Sequence, residues 1–135
     1  MIYSLDTNVL IDILRGNEAV KRNLVEANKA GRISIPPYVS YEVLRGAMDR
    51  GASRQLADFR LLQKAAYKPK IDENEVMEIA ADIYLKRRKT GQPVGDDIDN
   101  LMAAWCVMAG ATLVTSNTKR FAEVDGLLLE NWRIS

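Results

Sequence analysis

Asp6 directly follows a short β-prone stretch, Ile2–Leu5, near the start of a 135-residue chain. Glu42 lies in the early turns of a helical segment that follows a second such stretch, Ile33-Ser34-Ile35. Ser116 and Asn117 directly follow a third, Ala111–Thr115, and Asp96, Asp97 and Asp99 open the helical segment before it. In open parallel sheets, sites form beyond the carboxyl ends of the strands. A topology of that kind would gather these acids at one edge. Clustered carboxylates repel one another unless a cation neutralises them, and all-oxygen donors select Mg²⁺ or Mn²⁺. Such an ion activates water and stabilises the charge of an in-line attack on phosphate. Asp99 is the most informative acid, because it shares a helical face with Met102, Ala103 and Cys106. A carboxylate at the top of an apolar face is costly to bury unless paired or metal-bound.

Each residue also has a plainer reading. Asp6 and Thr7 are helix-capping types, and Asp96 with Asp97 and Asp99 suits a helix N-terminus. Glu42 alone is an ordinary solvated glutamate, and Asn117 an ordinary turn residue. Their shared position at strand ends carries the inference.

Composition narrows the chemistry further. The chain has no histidine and one cysteine, Cys106. A Ser-His-Asp or Cys-His system has no base here, an imidazole acid–base pair is absent, and a Cys/His zinc site cannot be assembled. One cysteine excludes an internal disulfide framework and fits a reducing cytoplasm. The opening Met-Ile-Tyr-Ser-Leu-Asp has no basic leader region, so no signal peptide is expected. The longest apolar run, Leu101–Ala109, is far short of the roughly 18 residues that span a bilayer. No membrane association is expected. A net charge of +1 argues against a protein that coats nucleic acid, though not against an acidic site inside a basic rim.

The elements that must position these residues are legible in outline. Strands are expected at Ile2–Leu5, Ile33–Ile35, Ala111–Thr115 and Leu127–Glu130, with Lys70-Ile71 a break or a minor strand. Helices are expected over Val9–Leu14, over Glu18–Ala30 with Asn17 as cap and Gly31 as C′ residue, after Pro37, and from Ser53. Two more run from Glu73 to about Lys89 and from about Asp97 to Ala109, and Ser116–Phe121 is a turn or short helix. Val76, Ile79, Ala80, Ile83 and Leu85 are the apolar positions of the long helix, and Lys86-Arg87-Arg88-Lys89 reads as solvated cations at its end. Strands alternating with helices predict one α/β domain, residues 1–135, with a parallel sheet.

These segments resemble a known family. Leu5-Asp6-Thr7-Asn8-Val9-Leu10, Pro37–Gly46 around Glu42, Asp99-Asn100-Leu101-Met102-Ala103-Ala104 and Leu113-Val114-Thr115-Ser116-Asn117 occur in the order and spacing of PIN-domain ribonucleases of the VapC type. Those proteins are the toxins of bacterial and archaeal toxin–antitoxin pairs. Phe121 and Gly126-Leu127 extend the match, which runs from residue 2 to about Trp132. The resemblance implies a three-layer α/β/α sandwich with a central parallel sheet and a Mg²⁺- or Mn²⁺-dependent endoribonuclease. It also implies a cognate antitoxin as partner. The family's three acids fall on Asp6, Glu42 and Asp99, with Asp97 and then Asp96 as the next candidates for the ion. Its fourth position falls on Asn117, whose carbonyl oxygen suits orienting bound water better than holding a second ion. Thr7 and Thr115 match hydroxyls that the family keeps near the metal.

Substrate contacts are expected from Thr7, Arg45, Thr115, Ser116, Lys119 and Arg120, which lie close in sequence to Asp6, Glu42 and Asn117. Tyr38 and Tyr41 flank Glu42, where packing is the plainer role and base stacking the alternative. The helices between Asn17 and Lys68 are candidates for an antitoxin groove, and a homodimer is expected. Rival readings are a PIN-like module that only binds RNA or protein, and another Mg²⁺-dependent phosphohydrolase. An Asp-nucleophile phosphatase wants a second acid at position 8, which is Asn8. A phospho-accepting receiver domain wants an Asp at the end of a middle strand, which is absent.

Overall fold

Ile2–Leu5 (β1), Arg32–Ser34 (β2), Thr112–Val114 (β3) and Leu128–Glu130 (β4) form a parallel sheet in a computed structural model that describes residues 1–133. The strand order is β2-β1-β3-β4. Ser4 lies opposite Ser34 on one side and Leu113 on the other, and Thr112 pairs with Leu128. The chain first steps outward from β1 to β2, then returns across β1 to lay down β3 and β4. The order therefore reverses between β1 and β3, and ligands bind at that crevice in open α/β sheets. Two bonds continue the ladders past the strand ends. Asp6 N donates to Val114 O at 3.0 Å and Thr115 N to Glu130 O at 3.0 Å, which fixes both residues at the crevice.

Helices cover both faces. They are α1 (Thr7–Leu14), α2 (Glu18–Ala30), α3 (Pro37–Asp49), α4 (Ser53–Ala65), α5 (Glu73–Lys89) and α6 (Asp97–Ala109), with a 3₁₀ turn at Thr118–Phe121. Leu5 and Ile33 of the sheet share one apolar pocket with Leu10 of α1, Leu24 of α2 and Leu62 of α4. On the other face, Ser4 lies beside Cys106 of α6, and α5 packs along α6. The result is the expected three-layer α/β/α arrangement, with α3 packed against α1, α4 and α6. Side chains such as Val20, Val39, Phe59, Val76, Met102 and Leu113 are fully buried. Each contributes about 1.5–3 kcal/mol through area removed from water. Among the described residues, no helix is long and apolar enough to cross a membrane.

Local chemistry explains the helix starts. Asn17 Oδ1 accepts from Val20 N at 3.1 Å, and Asp72 Oδ1 accepts from Asn74 N at 2.9 Å. Pro37 occupies the first turn of α3, where its missing N–H costs nothing. Gly110 ends α6 at φ 64°, the left-handed conformation that a glycine C-cap supplies. Gly31 departs from expectation. Its φ of −164° is extended, so it is no left-handed C′ residue. A Cβ there would instead sit 2.4 Å from the Met1 carbonyl oxygen. Close backbone approach, where Arg32 N bonds Met1 O at 2.9 Å to begin the β1–β2 pairing, is what requires glycine. Lys70-Ile71 forms no strand.

The end of α5 also differs. Leu85 is 48% exposed, while Arg87 is 2% exposed. Val76, Ala80 and Ile83 are buried at four- and three-residue spacing, and the next position on that row is 87, so helical geometry turns the arginine inward. Each of its three guanidinium nitrogens has a partner. Nε donates to Glu123 Oε1 at 2.6 Å, Nη1 to Asn100 Oδ1 at 3.1 Å and Nη2 to the Arg120 carbonyl at 2.7 Å. Asn100 Nδ2 in turn donates to the Val94 carbonyl at 3.0 Å. One side chain thus ties α5 to the loop before α6, to α6 itself and to the 3₁₀ turn. Removing it would leave Asn100 Oδ1 and the Arg120 carbonyl without this donor and Glu123 without its ion pair. Arg87→Ala is expected to lower unfolding free energy by about 3–5 kcal/mol in urea denaturation. Arg87→Lys should recover little of it, because an ammonium lacks the planar fork. A loss below about 1 kcal/mol would contradict this reading.

Candidate active site

Four elements converge at the crevice between β1 and β3. Asp6 follows β1 and caps α1, Glu42 projects from the second turn of α3, Asp99 sits in the first turn of α6, and Thr115 follows β3. Asp6 is 7% exposed and held from three sides. Its Oδ1 accepts from Thr7 N at 2.6 Å, and its Oδ2 accepts from Thr115 Oγ1 at 2.8 Å and Asn8 Nδ2 at 3.1 Å. Thr7 Oγ1 donates to Glu42 Oε1 at 2.6 Å, which links the second acid to the same turn. The protons of Thr7 and Thr115 are thus committed to carboxylates. These hydroxyls orient the acids.

Asp99 stands on the buried face of α6 above Met102, Ala103 and Cys106, all fully buried. Its carboxylate pairs with the Arg120 guanidinium at Oδ2. Asp96 caps the helix by accepting from Asp99 N at 2.8 Å, and is itself exposed. Asp97 lines a surface depression with Ala80, Ala81 and Tyr84 of α5, away from Asp6. Asn117 is exposed, and its recorded ties are through the backbone: its N–H donates to Thr115 Oγ1 at 3.1 Å and its carbonyl accepts from Arg120 N at 3.2 Å. Ser116 N donates to Asn8 Oδ1 at 3.2 Å.

The rim carries further features. Arg45 lies over the Tyr41 ring at 5.1 Å, one turn of α3 spanning Glu42, and Tyr41 is 56% exposed. Tyr38 instead donates to Glu73 Oε2 at 3.0 Å, and burial together with that carboxylate pushes its hydroxyl up to about 12. Lys119 is exposed beside Arg120. Cys106 is fully buried, and burial pushes its thiol up to about 12, so it is an inert core group.

Electrostatics here is set by buried carboxylates, with Arg120 the cation that opposes their charge. Burial raises the Asp6 carboxyl, and the nearby Glu42 charge raises it further, against the hydrogen bonds that lower it. The Asp99 carboxyl is pushed up to about 6, first by burial, then by Asp96, with Asp6 and Glu42 adding to it and Arg120 opposing. Carboxylates displaced upward by burial, and further by one another, are charges that a cation would stabilise. The donors are all oxygen, which suits Mg²⁺ or Mn²⁺. Among the described residues, no three acids stand close enough together to hold an ion as they are placed here.

Asn8, Arg87 and Gly95 were not singled out as functional residues by sequence. Asn8 had a signal, since a residue two beyond Asp6 at a strand end can bridge to the neighbouring strand. It does so, joining Asp6 to Ser116. Gly95 has no comparable local signal; its partners come from α5 and the 3₁₀ turn.

The Asp99 shift has a measurable consequence. A carboxyl whose folded pKa lies above its ordinary 3.8 stabilises the fold when protonated. That contribution is complete below about pH 4 and is lost as pH rises through about 6. In EDTA, wild-type protein should therefore gain more in melting temperature on going from about pH 8 to about pH 5 than Asp99→Asn does. Equal gains in the two proteins would show that Asp99 titrates normally.

The family comparison agrees with this geometry. The PIN domain model matches residues 3–127. The tRNA(fMet)-specific endonuclease VapC of Shigella flexneri is 28% identical over 134 residues, covering 96% of this chain and 97% of that protein. Ribonuclease VapC2 of Rickettsia felis is 26% identical, covering 98% of each. Among solved structures, VapBC2 of Rickettsia felis bound to a promoter DNA fragment superposes with TM-score 0.86 at 24% identity, over 98% of this chain and 99% of that one. DNA-bound VapBC of Salmonella typhimurium gives 0.83 at 22% identity, over 98% of each. The strand-end acids, the β1/β3 crevice and a match across residues 3–127 place this chain in the PIN-domain family.

Proposed function

We propose that this chain is a single-domain, divalent-metal-dependent endoribonuclease, the toxin of a toxin–antitoxin pair, active in the cytoplasm as a homodimer and silenced by a cognate antitoxin. The observation that carries the reading is the trio Asp6, Glu42 and Asp99 at the β1/β3 crevice, with two of the three held by threonine hydroxyls. The names of the VapC relatives support ribonuclease chemistry, and the VapBC neighbours support an antitoxin partner.

Asp6, Glu42 and Asp99 would hold Mg²⁺ or Mn²⁺, with Asp97 and Asp96 less well placed. When bound, the ion supplies a water of lowered pKa and neutralises charge on the phosphate. The residues of the chain do the rest. Thr115, Asn8 and Thr7 fix the Asp6 carboxylate, so both its oxygens face set directions. A carboxylate of the trio would accept the proton of the attacking water. Asn117 offers a neutral carbonyl at the rim for orienting water, and Ser116 a hydroxyl beside it. Arg45 and Lys119 offer charge to RNA phosphates, and the exposed Tyr41–Arg45 stack is a platform for an unpaired base.

Purified protein should cleave single-stranded RNA in Mg²⁺ or Mn²⁺ and lose that activity in EDTA. Asp6→Asn, which keeps the cap but removes the charge, should cut cleavage by more than about a hundredfold while melting normally. Activity that survives EDTA, or a folded Asp6→Asn protein with unchanged turnover, would reject the mechanism. Thr115→Val removes only the hydroxyl that orients Asp6. It should weaken Mn²⁺ binding by about ten- to a hundredfold in calorimetric titration, and undiminished affinity would deny that hydroxyl its role.

A further inference from the structure

Arg120 was expected at the RNA; in the structure its guanidinium pairs with Asp99. Three features build that placement. The Arg120 backbone is pinned on both sides, its N–H to the Asn117 carbonyl at 3.2 Å and its carbonyl to Arg87 Nη2 at 2.7 Å. Gly95 passes directly against its head group at φ 72°, where a Cβ would lie 3.1 Å from Arg120 Nη2 and 3.0 Å from Arg87 Nη1. Any larger residue would crowd both guanidinium groups, so the loop before α6 leaves a slot for them. Finally, the other charges acting on Asp99 are all negative: Asp96, Asp6 and Glu42. Among the described residues, Arg120 is the cation paired with this trio.

We infer that Arg120 is the built-in counter-ion of the third carboxylate and sets the divalent-ion affinity of the centre, because an incoming ion must displace it from Asp99. The inference rests on the metal-site reading above. A single positive charge on a half-exposed side chain is a weak competitor, since such ion pairs are screened and cost side-chain entropy. A divalent ion bridging several carboxylates displaces it. Two effects of Arg120 then act in the same direction. It occupies Asp99 before the ion arrives, and once displaced it still repels the ion from nearby. The acids of an ion-free protein are meanwhile kept partly neutralised.

Isothermal titration of metal-free protein with Mn²⁺ tests this without reference to cleavage. Arg120→Gln, which keeps length and polarity, should bind Mn²⁺ about three- to tenfold more tightly than wild type at low salt. Arg120→Lys keeps the charge and should stay within about twofold of wild type. Melting curves confirm that each variant is folded, and Arg120→Met provides a second neutral replacement if Arg120→Gln is not. Equal affinity in Arg120→Gln overturns the inference alone, and weaker affinity overturns it by making Arg120 a support of the ion site. If none of the proteins binds Mn²⁺, the metal-site reading falls and the inference with it.

Discussion

The burial of several carboxylates beside one another is the constraint around which this site is arranged. Parallel topology delivers Asp6, Glu42 and Asp99 to the same crevice, from β1, α3 and α6. Each buried carboxylate raises the cost of the next. Burial first, and neighbouring negative charge after it, displaces the Asp6 and Asp99 carboxyls upward. Such a cluster persists only because the rest of the fold is stable without it. The apolar core runs beneath it through Leu5, Val114, Met102 and Cys106, and none of these depends on the acids for burial.

Short-range hydrogen bonds determine where the charges point. Thr7, which opens α1, and Thr115, which follows β3, donate hydroxyl protons to Glu42 and Asp6. Asn8 bridges Asp6 to the segment after β3. On the far side, Arg87 performs the matching task for Asp99 indirectly. It grips Asn100, the residue after Asp99, and the carbonyl of Arg120, the residue paired with Asp99. The two halves of the centre are therefore held by different chemistry: neutral hydroxyls and amides on the Asp6 side, buried guanidinium on the Asp99 side.

Much of this was legible in the chain. The four strands and six helices lie where alternation, capping residues and glycines placed them, because each is a local pattern. β1 matches to the residue, β2 is shifted by one, and β3 and β4 are trimmed by two and one, since ladder pairing decides strand ends. The inward face of α6 was readable from the spacing of Asp99, Met102, Ala103 and Cys106. Arg87 was not read as buried, because a run of four basic residues resembles a solvated helix end. Only the row Val76, Ala80, Ile83 reveals that one of the four turns inward. The partners of Arg87 and Arg120 were beyond reach, since Glu123, Asn100 and Gly95 meet them only after the chain has folded. Gly31 shows a related limit: a glycine after a helix suggests a left-handed cap, whereas here it makes room for the Met1 carbonyl.

The central claim is that three acids from three elements form one cation centre. Anomalous diffraction from crystals soaked in Mn²⁺ tests it most directly. The account predicts one strong peak bounded by the carboxylates of Asp6, Glu42 and Asp99, at about 2.0–2.2 Å from the nearest oxygens. A peak at Asp96 or Asp97 on the outer side of α6, or none near Asp6 under saturating Mn²⁺, would contradict it.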